Sequence, residues 1–448
     1  MATFIEPRIL KGFRDFLPPW EIARRTLLER IESCFRSYGF VPIDTPALEY
    51  ADILLGKGGG ETEKQIYRFT DKGGRDVALR FDLTVPFARF VAEHRGELTL
   101  PFKRYHIGKV WRGENTQRGR YREFTQCDFD IVGSDSGAAD FEILLMIRTA
   151  LLSLDVGAVS IRINHRGLFN RFLSRLGVVE KSPEVLRTVD KLGKIGREAT
   201  QDLLAAIVDP DRAREILGFI QTTGSFEETL ASLAEAVGGD APEIRRLALL
   251  RRFMADTGTA ASFVLDPSIT RGLDYYTGVV YETFLQDLPD IGSVCSGGRY
   301  DNLAGLYSKE TISGVGASIG LDRLMAAMEA LGKVDTRASY TQVAIACIHE
   351  EAAGQYQALA DTLRQGGIPC EVLLETEKLT KQAILAEKKS ARWLIIPGAA
   401  PLKDPLTLRD LRNRTNEEGL SLEQLIARFS PLGTPQNPEG AKGNRRFA

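Results

Sequence analysis

Residues 21–38 place apolar side chains at three- and four-residue steps: Ile22, Leu27, Leu28, Ile31, Cys34, Phe35 and Tyr38, with Gly39 closing the run. That spacing predicts an amphipathic helix. An extended segment broken by Pro42 and Pro46 follows, from Phe40 to Tyr50. Next come Val77-Ala78-Leu79-Arg80-Phe81 and two strand candidates at 102–112 and 122–132. Along a strand, side chains alternate between faces. The odd positions Cys127, Phe129 and Ile131 make a core face, while Arg122, Phe124, Gln126, Asp128 and Asp130 put a cation, a ring, an amide and two carboxylates in a row. A solvated face could carry the same residues, so this pattern alone leaves a charged hairpin open.

From about 170 to 255 the chain turns helical and charge-laced, as in Leu203, Leu204, Ile207 and Ile216, Phe219, Ile220. We read it as an inserted helical module. Strand-like, glycine-punctuated sequence resumes at 261–320 and ends in a helix, Leu321 to Leu331. After a polar link, Gly332 to Tyr340, strand and helix patterns alternate: Val343–Ile348, Ala353–Arg364, Cys370–Leu374, Leu379–Lys389 and Trp393–Ile396. Such alternation predicts a small α/β domain with its own core. The turn-rich, polar stretch 431–448 predicts a flexible tail. The boundaries that result are 1–169 and 256–333 for the two parts of one core, 170–255 for the insertion and 341–430 for the C-terminal domain.

Composition narrows the class. A chain of 448 residues exceeds one ordinary core. With 43% hydrophobic and 26% charged residues it reads as globular, and no run approaches the ~18 apolar residues of a membrane span. Met1-Ala2-Thr3-Phe4-Ile5-Glu6-Pro7 lacks the basic-then-apolar profile of a secretory signal, so a cytoplasmic location is expected. The five cysteines are scattered without a Cys-x-x-Cys pair and the four histidines are dispersed, which argues against a disulfide framework or a metal centre. A net charge of −2 means that any nucleic-acid partner must be held by local patches.

The densest chemistry lies at 271–276, Arg-Gly-Leu-Asp-Tyr-Tyr. A permanently charged guanidinium that grips carboxylate or phosphate stands there beside two phenols. The 102–132 hairpin would bring Arg112 and Glu114 close to Phe124 and Gln126, with Arg118, Gly119 and Arg120 in its loop. Gly297-Gly298-Arg299-Tyr300 suggests a close backbone approach to a ligand. Gly314–Arg323 is a small-residue strand feeding a helix whose first turn carries Arg323, a place suited to an anion. Its glycine spacing does not fit Gly-x-Gly-x-x-Gly, and no Gly-Lys-Ser/Thr occurs, so dinucleotide-fold and P-loop readings fail.

Together these stretches resemble the class II aminoacyl-tRNA synthetases, and within them the histidyl-tRNA synthetase family. The helix at 21–38 with the Pro46 strand looks like motif 1, the dimer-interface motif. Arg112-Gly-Glu114 and Arg120-Tyr-Arg122-Glu-Phe124-Thr-Gln126 look like motif 2, and Gly314–Arg323 like motif 3. Arg271-Gly-Leu-Asp-Tyr275-Tyr276 and Ser296-Gly-Gly-Arg299-Tyr300-Asp narrow the resemblance to histidine. It runs from Lys11-Gly-Phe-Arg-Asp to about residue 430.

The resemblance implies an α+β fold: a class II synthetase-like antiparallel sheet with flanking helices, the helical insertion, and a C-terminal α/β anticodon-binding domain. It implies a homodimer with no membrane partner, acting on L-histidine, ATP with Mg2+, and tRNA(His). By resemblance, Arg112 and Arg271 flank the reacting carboxylate and α-phosphate. Phe124 stacks on adenine with Arg323 on its other side, Glu114 holds the adenine amino group, and Arg120 meets the γ-phosphate. Asp82, Thr84 and Gln126 take the α-amino group. Asp130 and Tyr276 bracket the imidazole, with Tyr275 and Tyr300 as pocket wall. Two departures are visible. Arg80-Phe-Asp82-Leu-Thr84 follows one branch of the family, and the loop Asn115-Thr-Gln-Arg118-Gly-Arg120 differs from the Pro-Gln-Lys-Gly-Arg found elsewhere. The second leaves the acceptor-end identity rule, including the extra 5′ guanosine, open. A rival from another class is a histidine-sensing regulatory paralogue of ATP phosphoribosyltransferase. Such paralogues lack the C-terminal domain and erode the ATP-handling arginines, all of which stand in this sequence.

Overall fold

The computed structural model describes residues 4–56, 63, 65–221, 224–269, 276–301, 305, 307, 311–398, 400 and 404–429. They divide into two compact units, one of Met1–Asp15 with Arg24–Val334, the other of Phe16–Ala23 with Asp335–Ala448. None of the described helices is long and apolar enough to cross a membrane.

In chain order the strands of the first unit are β1 (Val41–Pro42), β2 (Leu48–Tyr50), β3 (Arg68–Thr70), β4 (Asp76–Leu79), β5 (Phe102–Trp111), β6 (Glu123–Val132), β7 (Val159–His165), β8 (Phe263–Leu265), β9 (Val279–Leu285), β10 (Cys295–Tyr300) and β11 (Gly314–Gly320). Eight of them form one sheet in the order β1-β5-β6-β11-β10-β9-β7-β8. Its interior is antiparallel and both edge pairs, β1–β5 and β7–β8, are parallel. This is the expected class II-like architecture.

The parity of 122–132 holds. The β5–β6 ladder sets Arg104 opposite Asp130, His106 opposite Asp128 and Gly108 opposite Gln126. On the other side β11 sets Gly316, Ser318 and Gly320 against the same three residues. The odd face is core: Cys127, Phe129 and Ile131 are buried, and Phe35 from the helix Pro18–Ser37 packs its ring 4.7 Å from Phe129 and 5.6 Å from Tyr105. Tyr38, just past that helix, meets Thr149 of the helix Gly137–Ser153 at 2.8 Å.

Arg299 also points to this helix-covered side, where its Nη2 lies 2.7 Å from Asp140 and Arg246 joins the same carboxylate at 3.1 Å. The arginine of the Gly-Gly-Arg-Tyr signature is therefore a buried structural ion pair, while its neighbour Tyr300 faces the other way. Between β7 and β8, every regular element among the described residues from Arg166 to Asp256 is a helix. They are held by aromatic contacts such as Phe172 stacked 4.2 Å from Phe219. A three-stranded sheet, β2-β4-β3, takes β2 from the extended segment Phe40 to Tyr50 and β4 from the Val77–Phe81 stretch, and adds β3, which the sequence pattern did not show.

The second unit carries β12 (Val343–Ile345), β13 (Cys370–Val372), β14 (Trp393–Ile396), β15 (Leu406–Asp410) and β16 (Thr415–Leu420), in the order β13-β12-β14-β15-β16. The first three pair in parallel and the last two join antiparallel. Tyr356, Leu359 and Leu363 of the helix Ala353–Gln365 fill its core against Val343, Ile345 and Ile395.

Candidate active site

Phe124, Gln126 and Asp130, on the even face of β6, floor a cleft of 1210 Å³ counted out to its solvent mouth. Every described residue to which the resemblance gives a site role lines it: Asp82, Thr84, Arg112, Glu114, Arg120, Phe124, Gln126, Asp130, Tyr276, Tyr300 and Arg323. Arg271 and Tyr275 lie outside the described residues.

At one end stand two buried acceptors. Asp82 precedes the helix Thr84–Glu93, and its Oδ1 accepts from the Val85 amide at 3.0 Å. Gln126 donates its Nε2 to Ser318 Oγ at 2.8 Å. Among the described residues, Asp82 Oδ2 and Gln126 Oε1 have no hydrogen-bond partner. A buried acceptor left unmade costs about 1–3 kcal/mol, so a pair of them marks the seat of a donor. Burial pushes the Asp82 carboxyl up to about 6, opposed by the Val85 amide and by Arg112. An ammonium group suits both acceptors.

Further along the floor, Asp130 is 2% exposed and its Oδ1 accepts from the Tyr300 hydroxyl at 2.6 Å. Glycine makes this possible: a Cβ at Gly316 would strike the Asp130 carboxylate, and one at Gly314 the Tyr300 ring. The Gly297-Gly298 pair serves the same end, and Gly297 itself lines the cleft. A Cβ at Gly297 would meet the Gly316 carbonyl and the Tyr281 ring, and one at Gly298 the Val279 carbonyl and the Tyr276 ring. The glycines make room for the cleft's own tyrosines.

The other end is cationic. Arg112 donates Nε to the Phe81 carbonyl at 2.9 Å, and its guanidinium sits 5.2 Å from the centroid of Phe124. Arg120 Nη2 lies 3.3 Å from Glu114 Oε2. Arg323, in the first turn of the helix Leu321–Ala330, donates Nη1 to the Ser293 carbonyl at 2.5 Å. Burial, then the charge of Arg120, pull the Arg323 guanidinium below its ordinary range. Guanidinium groups crowded at such a cost are relieved by an anion, and a phosphate chain supplies several oxygens.

Several lining residues escaped the sequence reading. Ser318 and the Tyr281 hydroxyl, which donates to the Gly316 carbonyl at 2.7 Å, set the floor. The even-position repeat Gly316, Ser318, Gly320 was the available signal for Ser318. Asp322 accepts from the Thr125 amide at 2.7 Å and pairs with Arg14, whose guanidinium also stacks 3.9 Å from the Tyr121 ring. Glu282 lines the cationic end as a carboxylate.

The histidyl-tRNA synthetase model matches residues 12–324, and an anticodon binding domain model matches residues 342–431. A histidine–tRNA ligase from Treponema denticola is 53% identical over 433 residues, covering 93% of this chain and 97% of that protein. One from Rhodopirellula baltica is 48% identical over 400 residues, 88% of this chain and 90% of the relative. The crystal structure of histidyl-tRNA synthetase from Nostoc sp. PCC 7120 superposes with a TM-score of 0.85 at 32% identity, over 95% of this chain and 100% of that one. An ATP phosphoribosyltransferase regulatory subunit/histidyl-tRNA synthetase from Bacillus halodurans shares the fold, with a TM-score of 0.72 at 19% identity, over 86% of this chain and 97% of that one. With a family model matched across most of its length and relatives aligned nearly end to end, the chain belongs to the histidyl-tRNA synthetase family.

Proposed function

We infer that the chain works as a histidine–tRNA ligase. It joins L-histidine to ATP as histidyl-adenylate, releasing pyrophosphate, and then passes the histidyl group to a hydroxyl at the 3′ end of tRNA(His), breaking the acyl–phosphate bond and releasing AMP. The observation that carries this reading is one cleft with two unpartnered buried acceptors, Asp82 Oδ2 and Gln126 Oε1, at one end and three convergent arginines at the other. An amino acid and a nucleotide laid between them meet end to end.

In that arrangement Asp82, Thr84 and Gln126 take the α-amino group, while Asp130 and Tyr276 read the ring, with Tyr300 behind them. Tyr275 completes the wall and Arg271 joins Arg112 at the reacting carboxylate and α-phosphate. The carboxylate oxygen attacks the α-phosphorus as the bond to the β-phosphate oxygen breaks. No general base is needed, since the nucleophile is already ionised. The arginines stabilise charge that grows on the phosphoryl oxygens. Phe124 and Arg323 sandwich adenine, and Glu114 accepts from its amino group. Arg120 then leaves Glu114 for the γ-phosphate. Mg2+ would be held chiefly by the nucleotide's phosphates, with the Glu282 carboxylate as the oxygen donor from this chain, and it supplies charge neutralisation on the leaving pyrophosphate.

The remaining proposals follow from the family. Residues 341–430 bind the anticodon region of the tRNA, 170–255 form the insertion, and the helix of 21–38 with the strand after it supports a cytoplasmic homodimer. The regulatory-paralogue alternative is disfavoured because Arg112, Arg120 and Arg323 all converge on the cleft and the C-terminal unit is present. Purified protein is expected to catalyse histidine-dependent exchange of pyrophosphate into ATP and to charge tRNA(His) transcripts. Histidine binding without exchange would overturn the ligase reading. Transcripts with and without the extra 5′ guanosine then settle the acceptor-end rule.

A further inference from the structure

Behind Asp130 lies a guanidinium that the site reading leaves unused. Arg104 on β5 is 0% exposed and sits directly across the ladder from Asp130, its Nη2 2.7 Å from Asp130 Oδ2. Its flat face stacks on Phe87 of the helix Thr84–Glu93, 3.9 Å from the ring centroid. Burying a cation costs several kcal/mol before compensation, and an apolar residue would fill the same strand position at no such cost. Among the described residues, no nitrogen of Arg104 makes an oriented hydrogen bond. Its compensation is the ion pair with Asp130. The carboxylate is thereby held from two sides, by the Tyr300 hydroxyl on Oδ1 and by Arg104 on Oδ2, with Asp130 lining the cleft and Arg104 standing behind it.

We propose that Arg104 is a positioning residue for substrate recognition, holding Asp130 as a fixed anionic acceptor for an N–H of the histidine ring. The inference rests on the reading that Asp130 faces that ring. Several groups face Asp130: Tyr300 on β10, Tyr281 on β9, Asp128 on its own strand and Arg104 on β5, with Tyr276 and Asp82 lining the same cleft. Arg104 is the cation of that set. Burial pushes the Asp130 carboxyl up, and Arg104 first, then the Tyr300 hydrogen bond, pull it down. Without Arg104, burial acts against one hydrogen bond beside the carboxyl of Asp128. Asp130 then takes up a proton more readily and stops accepting from the ring. The same cation disfavours a charged ring nearby, so the pocket takes imidazole in its neutral form.

The test is steady-state pyrophosphate exchange with Arg104→Met. At about pH 7 its KM for histidine is expected to rise by about tenfold or more, the effect of losing one charged hydrogen bond. KM for ATP, and kcat at saturating histidine, should stay within about twofold. Raising the pH to about 9 should restore much of the variant's histidine affinity relative to the unsubstituted protein at the same pH, a comparison that cancels the loss of the substrate's own α-ammonium proton. An unchanged histidine KM, or one raised equally at both pH values, overturns the proposal.

Because removing one member of a buried pair can unfold a protein, Asp130→Asn is also compared with Arg104→Met/Asp130→Asn. The double variant leaves no orphan charge and should match Asp130→Asn alone in histidine KM. A further loss in the double variant means that Arg104 acts otherwise than through Asp130, and overturns the proposal. Absence of histidine-dependent exchange in the unsubstituted protein would instead sink the underlying reading.

Discussion

Asp82 shows how one residue couples binding to stability. Its Oδ1 is occupied by the Val85 amide and its Oδ2 has no partner among the described residues, so the buried charge awaits its ligand. With a folded-state value near 6 against an ordinary 3.8, the folded protein holds a proton that the unfolded chain has already lost. Stability from this group is therefore shed as pH climbs between those values, and the cost is complete above them. Asp82→Asn, which keeps an acceptor for Val85, should raise the Tm of the ligand-free protein at about pH 8, and the gain should vanish below about pH 4. The same variant should lose the rise in Tm that histidine gives, with histidine KM up by about tenfold or more in exchange assays. A ligand-free Tm that falls at about pH 8, with KM unchanged, would return Asp82 to a purely capping role.

Elements carry the site as much as side chains do, and the segment Leu10–Asp15 is an example. Gly12, at φ +89°, offers its carbonyl to the Arg122 amide at 2.9 Å, and a side chain there would strike Arg122. Two residues on, Arg14 stacks on Tyr121 and pairs with Asp322, which precedes Arg323. This short strap thus ties the loop bearing Arg120 to the helix bearing Arg323. Arg14→Gln should raise KM for ATP by about tenfold while leaving that for histidine within about twofold, read by exchange at varied ATP and histidine. Equal changes in both would make the strap a general scaffold.

The strap's stretch, Lys11-Gly-Phe-Arg-Asp, was visible in the sequence as part of the family resemblance, but its contacts were not, because they reach across more than a hundred residues. What was legible locally were elements with a period. The hairpin 102–132 announced itself through odd-face Cys127, Phe129 and Ile131, and Phe124, Gln126 and Asp130 of the even face proved to floor the cleft. β3 and β16 gave no such signal. Arg68-Phe-Thr is exposed throughout, and Thr415-Asn-Glu-Glu-Gly-Leu has no apolar alternation, so backbone pairing alone defines both. Arg104 was hidden for the opposite reason. In Lys103-Arg-Tyr-His a cation reads as solvated, and only the ladder to Asp130 reveals that it is buried.

At the scale of the whole molecule, the cleft and the match to an anticodon binding domain fall on different units. Every lining residue of the cleft belongs to the unit of Met1–Asp15 and Arg24–Val334. The C-terminal sheet has a separate core, with Tyr356, Leu359 and Leu363 packed on Val343 and Ile345, and a second layer of Ala383, Ala386 and Leu394. Adenylate formation needs histidine, ATP and the cleft; transfer needs a tRNA whose 3′ end must be brought there from a body tens of ångströms long. A contact far from the reacting atoms contributes by holding the tRNA in register, which raises the effective concentration of its 3′ end at the cleft. Deleting residues from 340 onward should therefore cut kcat/KM for charging by about a hundredfold or more, an amount expected when several tRNA contacts are lost together. Pyrophosphate exchange, normalised to the folded fraction by active-site titration, should fall by less than about tenfold. Equal loss of both activities would mean that the C-terminal unit supports the cleft's structure, and that its similarity to anticodon-binding domains does not describe its main contribution here.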